Sequence, residues 1–178
     1  QLLIGSGIPY GIFRPSILVG NSRTGYYSVI RSFLSAIRNA TIQGEKLRFP
    51  KLFGNANMVT VDQVAHSIGN GIEEKKLAIA FVCNPNPPSS QWVVSKGLER
   101  FGVSDDIEFL DCPFEEFETY NLTEIEKKLY QFEKHYYPYW SFPYVFPSSA
   151  CTLNLITASY VEKIMNYFNQ SVLLQREK

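Results

Sequence analysis

Hydrophobic positions along the chain follow two rhythms that alternate. Residues 8–19 form a β-rich apolar run, the profile of a strand buried on both faces of a parallel sheet. A polar loop over residues 20–25 follows. Then Val29, Ile30, Phe33, Leu34 and Ile37 recur at helical spacing over residues 28–38. Residues 44–57 show no period and read as irregular. Residues 58–61 form a short strand. Asp62 reads as the cap of a helix reaching about Glu74, with Val64, Ala65, Ile68 and Ile72 on its apolar face. Residues 77–83 read as a second buried strand, ended by the proline-rich turn at 84–88. A helix capped by Ser89 or Ser90 runs through Phe101, residues 107–110 form a strand, and 114–119 and 122–135 are helical. Residues 136–147, aromatic and rich in proline, read as a loop wrapping a surface. An amphipathic helix over 158–169 turns Val161, Ile164, Met165 and Phe168 inward. Strands alternating with helices predict an α/β fold with a parallel component.

Composition narrows the classes. The chain has 178 residues, 45% hydrophobic and 19% charged, which suits one globular unit with a core. Seventeen basic residues balance seventeen acidic ones, so no charge footprint for nucleic acid or an anionic membrane exists. No apolar run approaches the roughly 20 residues that span a bilayer. Cys83, Cys112 and Cys151 are widely spaced and form no CxxC pair, so neither a disulfide framework nor a metal site is expected. A reducing, cytoplasmic setting is the expectation. His66 and His135 lack a Ser or Cys partner in triad-like context, which argues against a hydrolase. Gln1-Leu2-Leu3-Ile4 followed by Gly5-Ser6-Gly7 reads as the end of a helix with its glycine stop, so residues upstream are expected.

The informative stretch is Arg14-Pro15-Ser16-Ile17-Leu18-Val19-Gly20-Asn21-Ser22-Arg23-Thr24-Gly25. It resembles the segment around the sixth core strand of extended short-chain dehydrogenases/reductases, where an Arg-Pro is followed some residues later by Gly. Its Gly-Asn-Ser-Arg-Thr-Gly ending is similar to the thioester reductase and fatty acyl-CoA reductase branch more than to the sugar epimerases. Val59-Thr60-Val61-Asp62-Gln63-Val64-Ala65 resembles the family's second landmark, a short strand entering a helix, at the spacing the family shows. The resemblance implies an α/β fold: the C-terminal portion of a Rossmann-type extended short-chain reductase, with the small substrate-binding subdomain. Residues 1–25 would be the end of the last Rossmann helix, a strand and the substrate loop. Residues 26–178 would be mostly the substrate-binding subdomain with returning strands, all one partial domain. Pro15, Ser16 and Ile17 match positions that meet the carboxamide end of a nicotinamide cofactor. Gly20, Asn21, Ser22, Arg23 and Gly25 match the floor of the substrate pocket. Gly20 and Gly25 would let the backbone turn close to a ligand. Arg23 suits a phosphate or carboxylate, with a solvated loop residue as the plainer reading.

The same resemblance marks what is missing. The family's Gly-rich cofactor turn has no counterpart, because Gly5-Ser6-Gly7-Ile8-Pro9-Tyr10 precedes a strand and has Tyr where the third Gly belongs. The family's Tyr-x-x-x-Lys is expected on the helix that ends at Gln1-Leu2-Leu3, before residue 1. The literal match from Tyr130 to Lys134 lies far downstream and reads as an ordinary helix face. No catalytic residue is therefore assigned. NADP or NAD would serve the intact parent, and tight cofactor binding is not expected of this piece. The implied partner is a small-molecule or carrier-bound acyl substrate, with no nucleic acid and no membrane. The missing N-terminal half, or self-association across an open sheet edge, is the implied protein contact. The alternatives are a nucleotide-sugar epimerase or dehydratase fragment and a non-catalytic binding module of the same fold. Arg14 reads as a core residue bonded to a carbonyl or carboxylate. Glu115, Glu116 and Glu118 read as a wet helix face. The aromatic cluster from Tyr136 to Phe146 reads as packing before it reads as a ligand lid.

Overall fold

The first apolar run folds as two short strands instead of one. In the computed structural model, which describes residues 7, 9–25, 46–75, 79–102, 104–141, 143, 146–147 and 156–176, β1 (Ile12–Pro15) pairs in parallel with β5 (Ile79–Val82). Its continuation β2 (Ile17–Val19) pairs in parallel with β4 (Met58–Thr60). The exchange of neighbours takes one residue. The Ser16 amide donates to the Val82 carbonyl at 3.1 Å, and the Ile17 amide donates to the Asn57 carbonyl, also at 3.1 Å. Successive peptide groups of an extended chain face opposite sides, so Ser16 serves one neighbour and Ile17 the other. By the same alternation Pro15, which has no N–H, faces the β4 side ahead of the point where that strand begins to pair. The proline therefore removes no ladder bond.

These strands are less covered than the apolar runs predict. Leu18 is 45% exposed and Ile79 50% exposed, so neither run is buried on both faces. Arg14 is exposed as well, not a core residue. Its guanidinium lies 6.0 Å from the centroid of the Phe81 ring, which stacks on Phe146 at 6.3 Å.

The helix after β4, α1 (Val61–Glu73), is capped by Thr60 and not by Asp62. The Thr60 hydroxyl accepts from the Gln63 amide at 3.4 Å, and the Gln63 side-chain oxygen accepts from the Thr60 amide at 3.0 Å, a capping box. That leaves the Asp62 carboxylate for another partner. The buried side of α1 is built on Val64, Ser67 and Gly71. At Gly71 an added Cβ would fall 2.3 Å from the Phe13 ring, so the helix meets β1 by close approach. Ala65, Ile68 and Ile72, expected inward, face out, and Ile72 is 71% exposed.

A second body of structure is built from residues 47–52 and 94–135. β3 (Leu47–Pro50) pairs in parallel with β6 (Ile107–Leu110), so a strand sits inside the stretch that reads as irregular. Phe49, Phe114, Phe117, Leu122 and Tyr130 form its core. Phe114–Thr119 is a 3-10 helix, and α3 (Glu124–Glu133) follows behind a second capping box, Thr123 with Glu126. Between these strands runs α2 (Ser90–Phe101), capped by the Ser89 hydroxyl. The expected aromatic loop contains a short helix, α4 (Tyr137–Trp140). The last helix, α5 (Ala158–Arg176), packs Tyr160, Val161 and Ile164 against Val19, Met58 and Val93. It runs past the expected end at residue 169, and the side chains of Met165 and Phe168 lie outside the described residues, as do the expected helix at 28–38, the expected helix end at residues 1–6, and Cys151.

Glu126 ties α3 to β3. Its carboxylate accepts from the Arg48 amide at 2.8 Å, Arg48 Nε at 3.0 Å, Arg48 Nη2 at 2.8 Å and the Thr123 amide at 2.8 Å. Burial opposes the charge, but the Arg48 and amide donors outweigh it and hold the pKa below the ordinary Glu value. Glu133, on the same helix, is also buried, and burial raises its pKa to about 7.

The two carboxyls give stability opposite dependences on pH. Glu126 has a depressed folded value, so its contribution is present above the unfolded-chain value and is lost as pH falls through the folded one. Glu133 has a raised folded value, so the unfolded chain releases its proton first, and stability falls as pH rises from the ordinary Glu range to about 7. We expect Glu133→Gln to flatten that fall and to add up to roughly 3 kcal/mol above neutral pH. Urea midpoints on either side of the window check this, and an unaltered slope in the variant would exclude Glu133 as its source. Glu126→Gln is expected to cost roughly 3 kcal/mol near neutral pH.

Candidate functional site

Parallel strands bring their carboxyl ends to one side, where ligands of α/β folds bind. The chain leaves β2 there and turns through residues 20–25. Asn21 shapes the turn: its Oδ1 accepts from the Arg23 amide at 3.0 Å and the Thr24 amide at 3.1 Å. The Gly25 amide closes the turn on the Asn21 carbonyl at 2.9 Å, and Gly25 takes a φ of +71°, which glycine tolerates without strain.

Three side chains from distant elements grip this turn. Asp62, freed by the Thr60 cap, accepts from the Ser22 amide at 2.8 Å and the Ser22 hydroxyl at 2.5 Å. Burial opposes the Asp62 charge, but the two Ser22 donors outweigh it and hold its pKa below the ordinary Asp value. The Tyr160 hydroxyl donates to the Gly20 carbonyl at 2.9 Å, and Lys163 Nζ donates to the Ser22 carbonyl at 3.0 Å. The loop residues singled out in the sequence, Gly20, Asn21, Ser22, Arg23 and Gly25, thus form one ordered turn. Arg23 is exposed and its guanidinium makes no hydrogen bond or ion pair among the described residues. Tyr160 and Lys163 escaped the sequence reading, because a tyrosine on an apolar helix stripe signals packing and nothing marks which carbonyl it meets.

Pro15, Ser16 and Ile17 lie at the exchange of strand neighbours. The amides of Ser16 and Ile17 are engaged by Val82 and Asn57, and Pro15 has none. The side-chain group that remains is the Ser16 hydroxyl, which is buried and has no hydrogen-bond partner among the described residues. An orphaned buried hydroxyl is uncommon, since leaving it unpaired costs roughly 1–3 kcal/mol. A polar ligand group reaching the seam would satisfy it, so this much of the chain fits the carboxamide of a nicotinamide.

The other candidates resolve into structure. Tyr130 stacks on Phe114 at 4.7 Å, and Lys134 Nζ lies 5.7 Å from its ring centroid. Burial and nearby Glu118 raise the Tyr130 pKa, the opposite of what a lysine-activated proton donor needs. His66 Nε2 meets Asn70 Nδ2 at 3.2 Å along α1. Tyr137 stacks on Phe114 at 3.9 Å, while Tyr136 and Tyr139 are exposed; Phe142 and Tyr144 lie outside the described residues. Glu115, Glu116 and Glu118 are exposed, and Cys83 is buried at the end of β5. Among the described residues there is no group of three His, Cys, Asp or Glu that could hold a metal ion, and no helix is long and apolar enough to cross a membrane.

Residues 4–68 match an NAD-binding family described as Male sterility protein, a span that includes both sequence landmarks. No curated protein matches the chain. Among solved structures, the terminal R domain from the myxalamid PKS-NRPS biosynthetic pathway is similar at 17% identity and a TM-score of 0.66, over 94% of this chain and 46% of that one. A UDP-N-acetylglucosamine 4-epimerase from Bacillus cereus is similar at 13% identity and a TM-score of 0.46, over 92% of this chain and 48% of that one. A conserved protein of unknown function from Silicibacter pomeroyi DSS is similar at 14% identity and a TM-score of 0.43, over 93% of this chain and 50% of that one. The chain spans about half the length of the solved structures it matches. Its fold is the α/β fold of a Rossmann-type extended short-chain dehydrogenase/reductase. The match over residues 4–68 and this fold agree with the resemblance to that superfamily.

Gly25 and Gly102 both have left-handed backbones, with φ of +71° and +68°. An added Cβ at Gly25 would lie 2.7 Å from the Lys163 carbonyl oxygen, whereas at Gly102 it would meet nothing within 4 Å. Gly102→Ala is therefore expected to cost about 1 kcal/mol, and Gly25→Ala at least about 2 kcal/mol. Thermal denaturation of the two variants side by side checks the difference, and equal losses would mean that α5 does not press on the loop.

Proposed function

We propose that this chain is the substrate-side C-terminal part of an NAD(P)-dependent reductase that acts on a carbonyl or thioester, and that it is inactive alone. The observation that carries the reading is the buried, unpartnered Ser16 hydroxyl at the strand seam, with the residue 20–25 turn immediately beyond it. The family match over residues 4–68 supports the nicotinamide part of the reading. In it, Ser16 meets the cofactor's carboxamide end, with Pro15 and Ile17 framing the position. Gly20, Asn21, Ser22, Arg23 and Gly25 form the floor under the acyl group, and Arg23 offers its charge to a phosphate or carboxylate of the carrier.

The nicotinamide, when bound, supplies a hydride to the acyl carbon. A thioester then yields an aldehyde and a thiol, and the proton comes from a Tyr-x-x-x-Lys pair outside this chain. What these residues contribute is binding and orientation. The remaining half of the Rossmann sheet has a place to go. β1 pairs on one side only among the described residues, and α1 presents Val61, Ala65, Ile68 and Ile72 outward as one apolar stripe. The open side of β1 among the described residues and this exposed stripe support a longer parent.

The test compares this chain with a longer protein from the native reading frame upstream of Gln1. The longer protein is expected to bind NADPH or NADH at micromolar concentrations and to oxidise it with octanoyl-coenzyme A. The 178-residue chain is expected to bind at least roughly 100-fold more weakly and to turn nothing over. In the longer protein Ser16→Ala is expected to weaken cofactor binding by roughly 3- to 10-fold, the loss of one hydrogen bond. Turnover of nucleotide sugars in place of the thioester would overturn the substrate class. Tight cofactor binding by the short chain, or a longer frame without the Gly-rich turn, would overturn the fragment reading.

A further inference from the structure

One turn of α5 touches the beginning, middle and end of the residue 20–25 loop. Tyr160 holds the Gly20 carbonyl, Lys163 holds the Ser22 carbonyl, and the backbone of Lys163 and Ile164 lies against the Cα of Gly25. The two hydrogen bonds span 140 and 141 residues of sequence. Ser22 is the best-held residue of the loop: its N–H and hydroxyl go to Asp62 and its carbonyl to Lys163, so each of its polar atoms has a charged partner. Tyr160 is buried, and its phenol sits where it meets a main-chain oxygen of the loop. A lysine ammonium normally keeps its freedom in water. Here it gives up much of that freedom to bond one carbonyl. Arg23, between these anchors, projects into solvent.

We propose that Tyr160 and Lys163 are positioning residues through which α5 sets the shape of the loop and so the binding of substrate. This rests on the reading of residues 20–25 as the substrate floor. Neither residue touches the reacting atoms in this scheme. They act through the Gly20 and Ser22 carbonyls, with Asp62 gripping the opposite side of Ser22.

The test uses the full-length protein that contains this chain, as wild type, Tyr160→Phe, Lys163→Met and Lys163→Arg. Amide hydrogen exchange is read at Ser22, Arg23, Thr24 and Gly25, with β3 and α3 as internal references. Tyr160→Phe and Lys163→Met are expected to speed exchange of the loop amides by roughly 5-fold or more while the references stay within about 2-fold. Lys163→Arg, which keeps a donor, is expected to restore most of the protection. With octanoyl-coenzyme A and NADPH, KM is expected to rise about 5-fold with kcat within about 2-fold. Loop amides that exchange at the wild-type rate would overturn the proposal, as would an increase shared by β3 and α3, or a loosened loop with unchanged KM. If the wild-type protein transfers no hydride to any thioester, the functional reading fails by itself, and the exchange data alone then decide whether α5 holds the loop.

Discussion

The geometry of the site depends on one constraint of the extended chain: adjacent peptide groups cannot face the same way. Between Ser16 and Ile17 this alternation turns one continuous stretch from a neighbour of β5 into a neighbour of β4. Both pairings are parallel, so Val82, Thr60 and Val19 all end toward one side. The turn after β2, the first turn of α1 and the turn after β5 therefore leave from the same side of the strands. At the exchange Ser16's hydroxyl is buried and has no hydrogen-bond partner among the described residues. A proline one residue earlier is accommodated because its missing N–H falls on the side with no ladder to complete.

Two capping boxes show how a small chemical difference redirects an acidic residue. Thr60 with Gln63 and Thr123 with Glu126 use the same spacing to satisfy the free amides of a helix start. Where the third residue is Gln, the box closes with a neutral oxygen, and the nearby Asp62 is left for Ser22 across 40 residues of sequence. Where it is Glu, the box itself carries a charge. Its second oxygen and remaining lone pairs then draw in Arg48 from β3. The first arrangement fixes the loop that we read as the substrate floor. The second welds α3 to the β3–β6 pair, a body that contributes no group to that loop among the contacts described.

What was legible in the sequence was whatever depends on neighbours along the chain. The α/β alternation, a serine cap at 89 or 90, the polar loop over residues 20–25 and the two spaced landmarks all follow from local pattern, and the fold agrees with them. Elements whose support comes from elsewhere were misread. β3 has only four residues, too few for a period to emerge, and its identity rests on pairing with β6. The apolar stripe of α1 was read as its buried side. Of that stripe only Val64 is buried, and the helix meets β1 through Val64 and Gly71, the latter a residue that carries no hydrophobic signal.

The sequence by itself determined which residues form the turn after β2, because Asn, Gly and Arg-Pro act within a few residues of where they stand. Only the tertiary structure decided which strand each half of the first run pairs with, that Asp62 reaches Ser22 across 40 residues of sequence, and that Tyr160 and Lys163 reach back to that loop. The physical reason is the same in each case. A hydrogen-bonding group is written in the sequence as a donor or an acceptor, but its partner is set by which surfaces the packed helices and strands bring within about 3 Å.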